Sequence, residues 1–304
     1  MTKWTTADIP DQTGRVAVVT GTAGLGYEDA LALARAGADL VLAGRDVNKG
    51  PAAADAIRAA APGAAVRFER LDLASLDSVH AFADRLRGET GRLDLLINNA
   101  GIMTPPDRRV TEDGFELQLG TNHLGHFALT AWLLPLLKQT PKARVVAVSS
   151  VAARAGAIHF DDLNSERAYR AMSAYAQSKL ACLMFAFELQ RRSEAGGWGV
   201  TSIAAHPGLS RTDLLYKMAR PWDPRIYLRT LLWFMFQSVP QGALPTLYAA
   251  TAPEAAPGGY YGPNGPGETR GYPSPSLIPT NALDTEAAAR LWEVSERLTG
   301  ARFE

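Results

Sequence analysis

Apolar positions along this chain fall into two regimes that take turns. Short runs rich in Val, Ile, Leu and Ala cover residues 15–20, 38–44, 65–71, 93–97, 144–150 and 200–205, mostly apolar and without strict alternation, apart from the third with its charged 67, 69 and 70. Between them lie helix-favouring runs at 27–38, 49–60, 76–87 and 174–189. A longer stretch from about 111 to 139 reads as one helix or as two broken near Gly120. Strands without polar alternation are those covered on both faces. Their repetition with helices predicts an α/β fold, a Rossmann-like doubly wound parallel sheet with helices on both sides. A Gly- and Tyr-rich run at 258–262 reads as a short edge strand, giving about seven strands in a single domain. Around this frame sit an N-terminal arm (1–14), a helix at 241–251, a Gly/Pro-rich loop (262–283) and a final amphipathic helix at 284–298. Asp284 suits its N-cap and Gly300 its stop.

In such a sheet ligands gather at the carboxyl ends of the strands. The residues expected there are Gly21-Thr22-Ala23-Gly24-Leu25-Gly26, Gly44-Arg45, Asp72-Leu73, Asn98-Asn99-Ala100-Gly101, Ser149-Ser150 and His206-Pro207-Gly208. Their convergence predicts one shared site. The strand–glycine turn–helix order of 15–38 is the context of a dinucleotide site, with free helix N-terminal N–H groups facing a pyrophosphate. An acid about 20 residues further on usually accepts the ribose 2′-hydroxyl of NAD(H), whereas an Arg suits the 2′-phosphate of NADP(H). Here Arg45 stands at that place and Asp46 reads as a helix cap, so NADP(H) is expected over NAD(H).

Tyr175-Ala176-Gln177-Ser178-Lys179 lies in the 174–189 run, and residues four apart on a helix share a face. A fixed ammonium beside the phenol favours the phenolate. Roughly 4 kcal/mol of such preference brings a phenol from about 10 to near 7, where a general acid/base works best.

The composition narrows the class. The chain has 304 residues, 47% hydrophobic and 20% charged, with 31 basic and 31 acidic side chains. That is globular, without the basic field expected of a nucleic-acid partner. The single Cys182 reads as a buried thiol of a cytoplasmic protein. Residues 1–11 show no apolar signal segment, and no apolar run reaches the ~20 residues of a membrane span. His123 and His126 read as packing rather than metal ligands, His206 as a loop hydrogen-bonder, and Asp161–Asp162 as part of an ordering turn. No metal site is expected.

Together the glycine turn, the run from Leu71 to Ser75, Asn98–Gly101, Asn122, Ser150, Tyr175-x-x-x-Lys179 and Pro207-Gly208 with Thr212 resemble the short-chain dehydrogenase/reductase family over nearly the whole chain. The runs at 122–127, 160–164 and 178–181, and the long gap from Ser150 to Tyr175, resemble the branch of retinol dehydrogenases, the WW-domain oxidoreductase and light-dependent protochlorophyllide reductase. The stretch 242–248 looks like bacterial members. The resemblance implies Asn122, Ser150, Tyr175 and Lys179 as the catalytic set. Tyr175 would be the general acid/base, Lys179 would lower its pKa and hold the nicotinamide ribose, Ser150 rather than Ser149 would hydrogen-bond the substrate oxygen, and Asn122 would hold a water. It implies Asp72 and Leu73 near the adenine, Asn99, Ala100 and Gly101 along the adenosine, and Pro207, Gly208 and Thr212 at the carboxamide. In one respect the chain departs from the family. Only Thr22 and Ala23 separate Gly21 from Gly24, one residue fewer than the family's turn.

The expected activity is interconversion of a small apolar alcohol and its ketone or aldehyde. Carbon–carbon double-bond reduction and a non-catalytic nucleotide-sensing scaffold are the alternatives. Residues 209–240, aromatic and irregular, read as a substrate lid. Pairing of copies into a homo-oligomer through the Tyr175 helix, as in relatives, is left open by the sequence.

Overall fold

A computed structural model describes residues 3–210 and 236–304. The apolar runs form β1 (Val16–Thr20), β2 (Asp39–Gly44), β3 (Val66–Arg70), β4 (Leu95–Asn98), β5 (Arg144–Val148), β6 (Thr201–Ala205), β7 (Tyr260–Pro263) and β8 (Pro273–Pro275). They make one sheet in the order β3-β2-β1-β4-β5-β6-β7-β8. The first seven are parallel, with Val16 opposite Asp39 and Val19 opposite Ile97 around the central strand. Order reverses between β1 and β4, which is where a doubly wound sheet opens its crevice.

The sheet has eight strands rather than about seven, and two expectations for its far end change. β7 is not an edge, because β8 pairs with it antiparallel, Gly262 opposite Ser274. The Gly/Pro-rich loop therefore contributes a strand. Two of that strand's three residues are prolines, which argue against a strand in sequence because they cannot donate to a ladder.

Among the described residues the long helices are α1 (Leu25–Arg35), α2 (Lys49–Ala60), α3 (Leu76–Glu89), α4 (Gly125–Gln139), α5 (Ala171–Gly196), α6 (Val239–Thr251) and α7 (Thr285–Thr299). The strand faces alternate between two cores. Val18, Val41, Leu96, Val145 and Ala204 pack under α3, α4, α5 and α7. Ala17, Val19, Leu40, Leu42, Leu95, Val146 and Ile203 pack under α1, α2 and α6. Burial on both faces is what the unbroken apolar runs encode. α7 begins at Asp284, whose carboxylate accepts the Ala287 N–H at 2.9 Å, and ends at Gly300 with φ +68°. Its Trp292 meets Phe127, Phe185 and Phe303 at centroid distances of 5.0, 5.8 and 4.3 Å, so α7 seals α4 and α5.

The long stretch expected from about residue 111 becomes a single α-turn at Leu117–Leu119, a π-turn at Gly120–Leu124, and then α4. The break near Gly120 is thus a widening of the helix, not a gap. Thr212 and most of the proposed lid lie outside the described residues; of that segment, Ser210 pairs as a parallel bridge with Gln237. Among the described residues no helix is long and apolar enough to cross a membrane, and no cluster of His, Cys, Asp or Glu could hold a metal.

Candidate active site

The carboxyl ends of β1 to β4 open onto a cavity of about 420 Å³. Gly21, Thr22, Gly24, Leu25, Arg45, Asp72, Leu73, Asn99, Ala100 and Gly101, all expected from the sequence, line it. Gly26 sits in the first turn of α1. Ala23 of the glycine turn lines it too, as do Asp46, Lys49, Ile102 and Thr121, which the sequence does not single out as site residues. Lys49 had a readable signal: it stands four residues after Arg45, at the first position of α2.

The glycines are required by close approach. Gly21 has φ +100°, and a Cβ there would lie 2.9 Å from Asn99 Nδ2. A Cβ on Gly26 would meet Gly21 O at 2.4 Å and Asn99 Nδ2 at 2.6 Å. Asn99 is the wedge between them, its amide donating to Thr20 O at 2.9 Å. Gly24, the N-cap of α1, has φ +59° and supplies no side-chain cap. The first N–H groups of α1 are left to a ligand, which is the fit a dinucleotide pyrophosphate needs. The shortened turn keeps this arrangement.

Thr20 knits the ends of β1 and β4. Its hydroxyl accepts the N–H groups of Asn99 and Ala100, both at 2.9 Å. His126 Nδ1 lies 2.9 Å from the Asn122 carbonyl and so must carry the proton. Nε2, 2.9 Å from Thr20 Oγ1, then accepts the hydroxyl proton. Burial lowers the His126 pKa to about 4 and that of His123 to about 3, which keeps both neutral. They are packing residues, as the sequence suggests.

The second group stands at the carboxyl ends of β5 and β6. Tyr175 and Lys179 are one turn apart on α5, both buried. The Lys179 ammonium donates to Val148 O at 2.9 Å. A Cβ on Gly101 would lie 3.5 Å from Lys179 Nζ and 3.1 Å from Asn122 Oδ1. Gly101 is therefore the place where the dinucleotide cavity adjoins the Tyr175–Lys179 pair. The two serines after β5 divide. Ser149 is buried and donates to Lys179 O at 2.7 Å, a fixed structural bond. Ser150 is half-buried and caps the turn Val151–Ala155, its hydroxyl accepting the Ala152 N–H at 3.2 Å.

Asn122 sits within the π-turn. Its side chain accepts the Ile102 N–H at 2.8 Å and donates to Ile102 O and Ser178 Oγ. Its carbonyl accepts from His126 Nδ1 at 2.9 Å and from the Cys182 thiol at 3.1 Å. A π-turn shifts the carbonyls out of the i−4 ladder and is frequent at functional sites. Here the shifted carbonyl is taken by two side chains. His206, Pro207 and Gly208 follow β6. Gly208 has φ +61°, and a Cβ there would meet Thr269 O at 2.4 Å.

Comparison with known proteins gives consistent results. A family model described as short chain dehydrogenase matches residues 15–221. Human retinol dehydrogenase 13 is 43% identical over 293 residues, 94% of this chain and 85% of that protein. Mouse polyprenol dehydrogenase is 44% identical over 300 residues, 96% of this chain and 86% of that protein. An uncharacterized Mycobacterium paratuberculosis protein of known crystal structure is 41% identical, with a TM-score of 0.82 over 100% of both chains.

Proposed function

This chain belongs to the short-chain dehydrogenase family and is an oxidoreductase of CH–OH groups, and from that premise we propose that it is NADP(H)-dependent and interconverts an apolar alcohol with its ketone or aldehyde. One observation carries the reading. The Tyr175–Lys179 pair adjoins, through Gly101, a dinucleotide cavity whose rim holds Arg45 and Lys49 and no strand-ending acid at Gly44. The two cations offer charge-assisted contacts to a 2′-phosphate. Apolar substrates fit the names of the retinol and polyprenol dehydrogenase relatives.

NADP(H), when bound, supplies or accepts the hydride. The chain does the rest. Gly21, Gly24 and the α1 N-terminus hold the pyrophosphate, and Asp72, Leu73, Asn99 and Ala100 hold the adenosine end. Pro207, Gly208 and Thr212 hold the carboxamide end. Ser150 donates a hydrogen bond to the substrate oxygen as negative charge develops there. The Tyr175 hydroxyl delivers the proton in reduction and removes it in oxidation. Lys179, one turn along α5 from Tyr175, hydrogen-bonds the nicotinamide ribose.

The test is cofactor titration followed by a panel of apolar ketones, aldehydes and alkenes, comparing kcat/KM for NADPH and NADH in wild type and Arg45→Ala. A preference for NADPH of roughly 10- to 150-fold, mostly lost in the variant, is expected from one charge-assisted contact. Equal use of both cofactors by the wild type overturns the NADP(H) assignment. Binding of NADPH without turnover of any carbonyl or alkene overturns the enzymatic reading.

A further inference from the structure

Behind the second half of the site lies a half-buried polar junction centred on Glu268, with His206 its buried member. Its Oε2 receives Arg154 NH2 at 2.5 Å, His206 Nε2 at 2.9 Å and the Ser276 hydroxyl. Its Oε1 accepts the Leu277 N–H at 2.9 Å. On the far side of the imidazole, Gly208 N–H donates to His206 Nδ1 at 3.2 Å. The proton assignment follows. Nδ1 accepts and is bare, so Nε2 carries the proton, which Glu268 Oε2 at 2.9 Å and Ser276 Oγ at 2.7 Å share, the serine hydroxyl passing its own proton on to the carboxylate.

The arms of this junction end on the two parts of the site that the sequence places separately. Arg154 belongs to the turn Val151–Ala155 that Ser150 caps. His206 holds the N–H of Gly208, in the turn to which the proposed function assigns the nicotinamide. Glu268 itself has φ +55°, a left-handed conformation that a non-glycine residue keeps only where the surroundings enforce it. Gly262 lacks a Cβ where one would come within 2.0 Å of His206 Nε2, so the strand beside it is shaped to admit the imidazole. The Glu268 loop also closes on the same turn through its backbone. Leu209 N–H donates to Thr269 O at 2.7 Å, and Gln237 bridges Pro207 O and the Gly271 N–H at 2.7 and 3.0 Å.

We propose that Glu268 is a positioning residue that couples the Ser150 turn, through Arg154, to the Pro207–Gly208 turn, through His206. The serine hydroxyl and the backbone at the nicotinamide then keep one fixed separation. The inference rests on the function proposed above, in which Ser150 acts on the substrate oxygen and Gly208 lines the nicotinamide. A carboxylate suits this place because its two oxygens accept from a cation, a hydroxyl, an imidazole N–H and the Leu277 N–H, which together use the acceptor sites of an ionised carboxyl. Burial raises the Glu268 pKa, but the bonds from His206, Ser276 and Leu277 outweigh it and bring it to about 2. Hydride transfer is sensitive to such spacing: a displacement near 1 Å can lower a rate about 100-fold.

The test uses Glu268→Gln, Glu268→Ala and Arg154→Met in the full chain, with NADPH affinity from fluorescence titration, kcat and KM for the best carbonyl substrate, and the melting curve. Coupling predicts that Glu268→Ala lowers kcat at least about tenfold and weakens NADPH at least about threefold. Arg154→Met, which touches one arm only, lowers kcat with NADPH affinity within about twofold. Glu268→Gln, isosteric but uncharged, falls between wild type and alanine in both and keeps the fold measurable should alanine lose it. A cooperatively melting Glu268→Gln or Glu268→Ala protein with kcat and NADPH affinity both within twofold of wild type overturns the proposal. A loss of melting temperature alone, with both constants unchanged in the folded protein, overturns it as well. A wild type that binds NADPH but turns over nothing refutes the proposed function instead, and the affinity comparison still decides the His206 arm.

Discussion

Tyr175 and Asp29 show how differently two buried ionisable residues behave. Tyr175 is placed for chemistry, on the buried face of α5 one turn before Lys179. Tyr175→Phe should lower kcat by about 10²- to 10⁴-fold, the usual cost of removing a positioned acid/base, while NADPH affinity stays within about threefold. Retention of more than about a tenth of wild-type kcat would remove Tyr175 from the reaction. Asp29 does the opposite: it opposes the fold. Both its carboxyl oxygens are buried without a partner among the described residues, on the face of α1 that packs in the α6 core. Burial first, and the neighbouring Glu28 second, push its pKa well above the usual carboxylate range. The folded state therefore holds a proton that the unfolded chain releases near pH 4. Between those two pKa values the unfolded state binds fewer protons, so this residue's contribution to stability falls as pH rises, then levels off above the folded value. Asp29→Leu should raise stability by about 1–3 kcal/mol at pH 7 to 8 and by less near pH 4, read by denaturant unfolding at both pH values. Stabilisation that is equal at the two pH values would show that ionisation is not the cause.

Among the elements, α7 carries a role that its sequence only half declares. Its amphipathic pattern and both ends, Asp284 and Gly300, are legible, because capping is local chemistry. What the pattern does not say is which surface the apolar face meets. That surface is α5 and α4, where Trp292, Phe127, Phe185 and Phe303 interlock. Most of α5 from Ala174 to Gln190 is thereby buried within one chain. Trp292→Ala should cost about 3–5 kcal/mol, measured by denaturant unfolding. A cost below about 1 kcal/mol would mean the aromatic cluster packs loosely. Legibility follows the range of the determining contact. The strands, the glycine turn and the Tyr175–Lys179 spacing are written in adjacent residues, and the sequence places them. The Glu268 junction is not. Arg154, His206 and Glu268 are far apart in the chain, and Glu268 lies in a Gly/Pro-rich stretch that reads as plain loop. The π-turn at Asn122 is equally hidden. One residue of extra helix circumference leaves no mark in a hydrophobic pattern, and the sequence reports only a break.

At the scale of the whole molecule, the sheet must end somewhere, and both margins are guarded. On one side β3 presents Arg67, Glu69 and Arg70, whose charges discourage a further strand. On the other, the pairing of β8 has a consequence in solution. Ser276 N–H bonds Tyr260 O and Asn264 N–H bonds Tyr272 O, and Gly262 lies opposite Ser274. Positions 272, 274 and 276 thus face inward, and the two left facing outward are Pro273 and Pro275. Neither has an N–H to offer. An incoming strand from another molecule finds carbonyls there but no donors, so this margin cannot template a growing ladder. Replacing both prolines by Val restores two donors and a β-branched edge. The expected result is faster light-scattering growth on prolonged incubation at high concentration, with the melting temperature little changed. Unaltered scattering would show that β8 is shielded by something other than its prolines.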